Sequence, residues 1–134
     1  MIKTYTFEIT TQRPQIMQPI TKEIKQCLKQ ASIQNGHITV FIPHTTAAVT
    51  INENADPDVE GDMIMGIDAA FPDRKAFKHM EGNSHAHIKS SVIGVEQTIL
   101  IEAQTMLLGT WQGIYFCEFD GPRTRKVHVQ ITGE

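Results

Sequence analysis

The last third of the chain most constrains its fold, because it consists almost entirely of strand-like segments. Apolar or alternating runs cover residues 97–101, 106–119 and 126–132, and a turn-like segment at 102–105 separates the first two. Short strands joined by tight turns pair most readily in antiparallel sheets. We therefore expect an antiparallel meander in this part of the chain.

The first half of the chain alternates between strand and helix patterns. Period-two alternation predicts a half-buried strand at 4–9, and short apolar runs predict buried strands at 38–42 and 47–51. Between them an apolar stripe at helical spacing predicts a helix over about 19–35, bounded by proline at its start and Asn-Gly at its end.

A second helix is predicted to begin at Asp56, which can act as its cap, followed by Pro57 at the first helical position. Its apolar stripe is expected to be buried and consists of Val59, Met63, Ile67 and Ala70 or Phe71. Residues 72–84 read as a polar loop, and 87–93 favours a short third helix. Together these elements predict one α+β domain over 1–134, in which two or three helices cover a mostly antiparallel sheet in two layers.

Composition excludes several function classes. The formal net charge is −3, and the basic residues form only one local cluster, Arg123, Arg125 and Lys126, so we expect no nucleic-acid partner. No apolar stretch approaches the roughly 20 residues that a membrane span needs, which predicts a cytoplasmic protein without membrane contact. Cys27 and Cys117 are far apart in sequence and suit buried, reduced thiols.

Histidines are concentrated in one part of the chain. Three of the six, His79, His85 and His87, fall within nine residues, and His44 directly follows a predicted strand and Pro43. Neutral imidazole is the commonest nitrogen ligand of zinc, and three histidines with an open water position form a common zinc coordination. The cluster therefore predicts a transition-metal site, with a solvated polar loop as the alternative.

Other polar side chains are candidates for binding a phosphorylated metabolite. These hydroxyl, amide and guanidinium groups are Thr45, Thr46, Asn52, Ser90 and Arg123. Each also has a structural explanation, as a strand former, a residue near a helix start, a packing residue or a turn residue. Glu118 closes an apolar run, and a half-buried carboxylate there could act as a ligand or general base.

Five sequence segments, taken together, resemble the YjbQ-like family. They are His44-Thr45-Thr46-Ala47-Ala48, Asn52-Glu53-Asn54-Ala55-Asp56-Pro57, His79 with Glu81-Gly82-Asn83, His87-Ile88-Lys89-Ser90-Ser91 and Gly109-Thr110-Trp111-Gln112-Gly113. The resemblance covers nearly the whole chain. Members of this family are often labelled secondary thiamine-phosphate synthases.

The resemblance implies a compact α+β fold that assembles as a homotrimer. It also implies a metal site at His44, His79 and His87, whereas His85 is a histidine that the family pattern does not require. Glu118 matches a recurring acidic position, which makes it the candidate for a partner of the metal ligands or for the general base.

The activity that the resemblance implies joins a hydroxymethylpyrimidine diphosphate to a thiazole phosphate, giving thiamine phosphate and pyrophosphate. Departure of the diphosphate is usually assisted by magnesium on oxygen ligands, whereas three histidines favour zinc. Two alternatives therefore stay open. One is a zinc-dependent hydrolase that acts on a small phosphorylated metabolite, and the other is a non-catalytic trimer that binds a metal or metabolite.

Overall fold

A computed structural model describes all residues from 1 to 134. The chain forms eight strands and three helices, which confirms the α+β prediction. In chain order they are β1 (Ile2–Thr10), β2 (Ile16–Pro19), α1 (Thr21–Ala31), β3 (Gly36–Phe41), β4 (Ala47–Glu53), α2 (Pro57–Ala70), α3 (Ser84–Ile93), β5 (Glu96–Glu102), β6 (Thr105–Met106), β7 (Gln112–Glu118) and β8 (Thr124–Gly133).

The strands form two sheets, and every strand pair is antiparallel. The larger sheet has the order β1-β8-β3-β5-β6 and the smaller one the order β2-β7-β4. The predicted meander over the last third is wrong, because β7 lies in the smaller sheet and β8 returns between β1 and β3. Residues 113–119 are all buried, as expected for a central strand covered on both faces.

The main core lies between the two sheets and α1. Its 20 buried residues include the predicted helical stripe Ile24, Cys27, Leu28 and Ala31. Helix α1 begins at Thr21, two residues later than predicted, because Ile16–Pro19 forms a short strand against β7 that the sequence did not predict. Burial of this stripe fixes α1 against the larger sheet.

Helices α2 and α3 cover the other face of the smaller sheet around a second cluster of six buried residues. Asp56 caps α2 as predicted and accepts a hydrogen bond from the Asp58 N–H over 2.9 Å. The prediction that the apolar stripe of α2 is buried is wrong for this single chain, since no residue of α2 is fully buried. No helix is long and apolar enough to cross a membrane.

Three connections meet at one end of the smaller sheet. These are the β3–β4 loop at 42–46, the segment at 71–83 that leads into α3, and the β7–β8 connection at 119–123. Helix α3 begins at Ser84, earlier than the predicted 87, so it carries both His85 and His87. The folded chain thereby gathers segments that are up to about 80 residues apart in sequence.

Candidate functional site

The three connections enclose a cavity of about 470 Å³, which we call the histidine pocket. Apart from Pro43, every lining residue is polar. The residues that shape its chemistry are three histidines, two arginines, two carboxylates, two threonines and an asparagine, namely His44, His79, His87, Arg123, Arg125, Glu81, Asp120, Thr45, Thr46 and Asn83. Such a polar lining suits a charged ligand and offers little to an apolar one.

His79 and His87 form an imidazole pair on one side of the pocket. Their ring centroids are 5.5 Å apart and the rings meet edge to face at 85°. Two imidazoles on one tetrahedral zinc ion at the usual Zn–N distance have centroids about 5 Å apart. The side chain of Glu81 lies beside the pair, with its Oε1 3.8 Å from His79 Nε2. The observed separation therefore suits a shared ion.

His44 lines the same pocket but has a different hydrogen-bonding state. Its Nε2 accepts a hydrogen bond from the main-chain N–H of Lys126 over 2.8 Å. Burial, followed by the positive charge of Arg125, lowers the pKa of His44 below its ordinary value. The ring is therefore neutral and carries its proton on Nδ1.

This state corrects the predicted three-histidine metal site. A neutral imidazole has one lone pair, and that of His44 is used by Lys126, so ligation by His44 requires this bond to break. Accordingly, no group of three His, Cys, Asp or Glu side chains is arranged to hold a metal ion. The structure brings all three predicted histidines to one pocket but arranges only His79 and His87 as a pair.

Glu118 is fully buried and bonded on both oxygens. Oε1 accepts from Thr11 Oγ1 at 2.8 Å and from Arg125 Nε at 2.9 Å. Oε2 accepts from the Asp120 N–H at 3.0 Å and forms an ion pair with Arg125 Nη2. Glu118 does not line the pocket, and a carboxylate so fully engaged is poorly placed to act as the predicted general base. It holds the Arg125 guanidinium in a fixed orientation instead.

Arg125 lines the pocket as well, although sequence reasoning named it only as part of a basic cluster. It is 4% exposed, and its Nη2 also donates to Thr46 Oγ1 over 2.9 Å. The signal was present in the alternation of β8, because Arg125 has the same parity as Val127 and Val129, which face the core. An arginine on a core-facing position requires a buried acid, and Glu118 is that acid.

Asn83, Asp120 and Arg123 form a hydrogen-bonded chain along the pocket wall. Asp120 Oδ2 accepts from Asn83 Nδ2 at 2.8 Å and from Arg123 Nη2 at 2.9 Å. Asn83 occupies the N-cap position of α3, yet its side chain makes no capping bond. Its Oδ1 is buried without a hydrogen-bond partner, which leaves an acceptor that a ligand can satisfy.

Comparison with known proteins identifies the family of this chain. Residues 5–134 match the sequence profile of the family described as UPF0047 protein YjbQ-like. The chain belongs to this family. It is 47% identical over 129 residues to the UPF0047 protein YugU of Bacillus subtilis, which covers 96% of this chain and 98% of that protein. It is 45% identical over 130 residues to a UPF0047 protein of Methanocaldococcus jannaschii, with 97% and 94% covered.

Solved structures of UPF0047 proteins share the fold. A crystal structure of a YjbQ/UPF0047 family protein from Clostridium acetobutylicum superimposes with a TM-score of 0.93 at 49% identity and covers 96% of this chain and 99% of that one. A hypothetical protein from Aeropyrum pernix gives a TM-score of 0.94 at 35% identity, with 98% and 99% covered. The similarity in sequence and the similarity in structure both extend over the whole domain.

The remaining predicted site residues of this UPF0047 chain are dispersed. Thr45 is exposed at the pocket, whereas the Ser90 hydroxyl is buried and donates to the Ala47 carbonyl over 2.6 Å, which ties α3 to β4. Asn52 lies at the opposite end of β4, about 20 Å from Thr46 at 3.3 Å per residue, and does not line the histidine pocket.

His85, the histidine that the YjbQ-like pattern does not require, lies outside the histidine pocket. Its Nδ1 is 3.7 Å from Asp73 Oδ1, and it is not among the pocket's lining residues. The cause is the helical conformation of α3, since side chains two residues apart on a helix point about 200° apart.

Proposed function

We propose that the histidine pocket binds a divalent transition-metal ion together with a small phosphorylated metabolite, and that the chain acts as a transferase of the secondary thiamine-phosphate synthase type. One observation carries the proposal. The imidazole pair of His79 and His87 opens into a polar pocket that also contains the guanidinium groups of Arg123 and Arg125. Side chains of the kinds that bind transition metals and phosphates thus line one cavity, which supports the proposal.

His79 and His87 would hold the ion, and their nitrogen donors favour zinc. Magnesium remains the alternative ion if the synthase activity holds, with oxygen ligands from Glu81 and Asp120 and the free Oδ1 of Asn83. When bound, the ion would neutralise negative charge that develops on a departing diphosphate. The donor set fits such an ion through two imidazoles, with the remaining positions left to water, carboxylate or substrate.

The chain's own groups would bind and orient the phosphates. Arg125 is held in place by Glu118 before any ligand arrives, so it can stabilise phosphate charge without further reorganisation. Arg123 is half exposed and can close on a second phosphate. The Nδ1–H of His44 and the Thr45 hydroxyl would supply neutral donors.

A zinc-dependent hydrolase is the second candidate, and the chemistry of the imidazole pair favours it. Nitrogen ligands suit zinc, whereas catalysis of diphosphate departure commonly relies on magnesium with oxygen ligands. The same pocket would then bind a phosphorylated metabolite and admit water as the second reactant. A non-catalytic metal- or metabolite-binding trimer is the third candidate, and assays without any turnover would favour it.

Phosphorus NMR of one reaction mixture separates these functions. The protein, with zinc or magnesium, is mixed with hydroxymethylpyrimidine diphosphate and thiazole phosphate, and the synthase function predicts thiamine phosphate and pyrophosphate in equal amounts. In a second mixture that lacks the thiazole phosphate, release of inorganic phosphate from the diphosphate would instead support the hydrolase. Activity should fall at least 100-fold in His87→Ala and stay unchanged in His37→Ala, an exposed histidine outside the pocket.

Complementation tests whether the synthase activity is physiological. Rescue of a thiamine auxotroph by the wild-type chain at native expression would support the synthase function, whereas rescue only on overproduction would demote it to a side reaction. The His37→Ala variant serves again as the positive control.

We also propose that the chain assembles as a homotrimer, as the family resemblance implies. The half-buried apolar side chains of α2, including Met63, Ile64 and Ile67, support an additional contact surface on this helix. Light scattering coupled to size-exclusion chromatography tests this state, and a mass of one 15.0 kDa chain would contradict it.

A further inference from the structure

A second cavity lies at the other end of the smaller sheet, between α1, the β6–β7 connection and the segment that follows β4. Its volume is about 750 Å³, within the range of small-molecule sites. Strand β4 separates it from the histidine pocket by about 20 Å. It brings together Asn54 with Gly109, Thr110 and Gln112, which belong to two of the five motif segments and take no part in the histidine pocket.

The charge of this cavity is entirely positive. Lys25 and Lys29 line it one helical turn apart on α1, neither forms a salt bridge, and no Asp or Glu is among the 12 lining residues. This is unexpected for a chain with 15 acidic and 12 basic residues. The cavity therefore presents a local positive field within an acidic protein.

The side-chain amide of Gln112 uses its acceptor atom within the protein. Its Oε1 accepts from the Gly109 N–H over 2.8 Å. The amide nitrogen of Gln112 has no protein partner, so this side chain has donors to offer a ligand.

A hydroxyl follows the same rule. Thr21 Oγ1 accepts from the Ile114 N–H over 2.9 Å, which leaves its proton available to a ligand. The lining thus combines two ammonium groups with the donors of Gln112 and Thr21, while the acceptor atoms of these two side chains are already used. A ligand that matches this arrangement must be rich in acceptor atoms and negatively charged.

We propose that this second cavity binds the phosphate or diphosphate group of a small metabolite, independently of the histidine pocket. A diphosphate offers several acceptor oxygens and a charge that two lysines one turn apart can share. The apolar side chains of Leu28, Met106 and Leu108 complete the lining and would pack against the uncharged part of the same molecule.

The fluorescence of Trp111 can detect ligand binding in this cavity separately from binding in the histidine pocket. It is the only tryptophan of the chain and lies between two lining residues, Thr110 and Gln112, so its emission reports on this cavity rather than on the distant histidine pocket. Inorganic pyrophosphate is titrated at constant ionic strength. Calorimetry, carried out on protein that also carries His79→Ala, His87→Ala and Arg123→Gln to weaken the histidine pocket, detects binding to the second cavity that leaves fluorescence unchanged. We expect a saturable response, which is retained in His79→Ala/His87→Ala.

Two double variants of equal charge provide the comparison. Lys25→Gln/Lys29→Gln should weaken pyrophosphate binding at least tenfold, whereas Lys3→Gln/Lys22→Gln, with two exposed lysines outside the cavity, should bind like the wild type. Circular dichroism checks that both pairs fold. Absence of saturable binding by both methods, or an equal loss in both pairs, would overturn the proposal. Equally tight binding of citrate would overturn its specification as a phosphate site.

Discussion

The main-chain N–H of Lys126 donates to Nε2 of His44 over 2.8 Å, and this bond determines which nitrogen of the imidazole a ligand meets. The two residues are 82 positions apart in sequence and meet because β8 runs beside the end of β3. With its lone pair used in this bond, the neutral ring of His44 can act towards a ligand only as a donor through Nδ1, and not as the expected metal ligand.

The tautomer and pKa of His44 can be measured directly. Burial and the charge of Arg125 oppose protonation, so we expect the Nδ1–H tautomer and a pKa below the ordinary value of about 6.5. Long-range proton–nitrogen NMR of the metal-free protein across a pH titration gives both quantities. A proton on Nε2, or a pKa at or above 6.5, would contradict this description of the pocket.

Removal of the Glu118 carboxylate should destabilise the fold strongly, because it leaves the buried Arg125 without its counter-charge. We expect Glu118→Gln to lower the free energy of unfolding by about 3–5 kcal/mol in urea titrations. Glu96→Gln, at an exposed position, should change it by less than about 0.5 kcal/mol. The double variant Glu118→Met/Arg125→Met removes both charges and should therefore be more stable than Glu118→Gln. A double variant that is less stable than Glu118→Gln would contradict the description of Glu118 and Arg125 as a buried ion pair.

The ion pair between Asp68 and Lys89 predicts a pH dependence of stability. Hydrogen bonds from Lys89 and then from Gln15 lower the pKa of Asp68 in the folded chain below the unfolded value of about 3.9. The unfolded state thus binds more protons just below pH 4, and the stabilisation present above that pH is lost as pH falls.

The free energy of unfolding of Asp68→Asn should therefore fall furthest below that of the wild type at neutral pH. At that pH the substitution also leaves the fully buried Lys89 without its carboxylate partner. Urea unfolding at pH 7, 5, 4 and 3 gives the free energy of unfolding of both proteins, and the difference between wild type and Asp68→Asn should shrink below pH 4. A difference that stays constant from pH 7 to 3 would show that the carboxylate charge of Asp68 does not contribute.

Two glycine substitutions should have opposite effects. A Cβ on Gly113 would lie 2.6 Å from Asn54 Cβ, whereas a Cβ on Gly61 in helix α2 meets nothing within 4 Å. Gly113→Ala should therefore destabilise the chain by about 1–3 kcal/mol through overpacking, and Gly61→Ala should stabilise it by about 0.5–1 kcal/mol. Thermal unfolding measures both, and a neutral Gly113→Ala would contradict the close approach of the two motif segments.

The sequence predicted local elements better than their arrangement. The stripe of Ile24, Cys27, Leu28 and Ala31 predicted α1 because helical spacing is a local property. Pairing in a sheet is not local, since alternation shows which face of a strand is buried but not its neighbour. This is why the meander was predicted and the two sheets were not.

The same limit applied to the site. Histidine spacing and family resemblance located the pocket, yet the state of His44 depends on a main-chain group of β8, and the burial of Glu118 depends on Arg125. Asn52 was a candidate for binding a phosphorylated metabolite because of its polarity, and its position at the far end of β4, away from the histidine pocket, follows only from the strand length. Such relations arise from tertiary packing rather than from spacing.

Metal content of purified protein after exhaustive dialysis, measured by elemental analysis, tests the central claim most directly. The account predicts about one zinc ion per chain in the wild type, in His44→Ala and in His85→Ala, a histidine on the same helix as His87 but outside the pocket. It predicts less than a tenth of that amount in His79→Ala/His87→Ala. Stoichiometric metal retained by this double variant, or metal lost equally in His85→Ala, would contradict the assignment of His79 and His87 as the metal-binding pair.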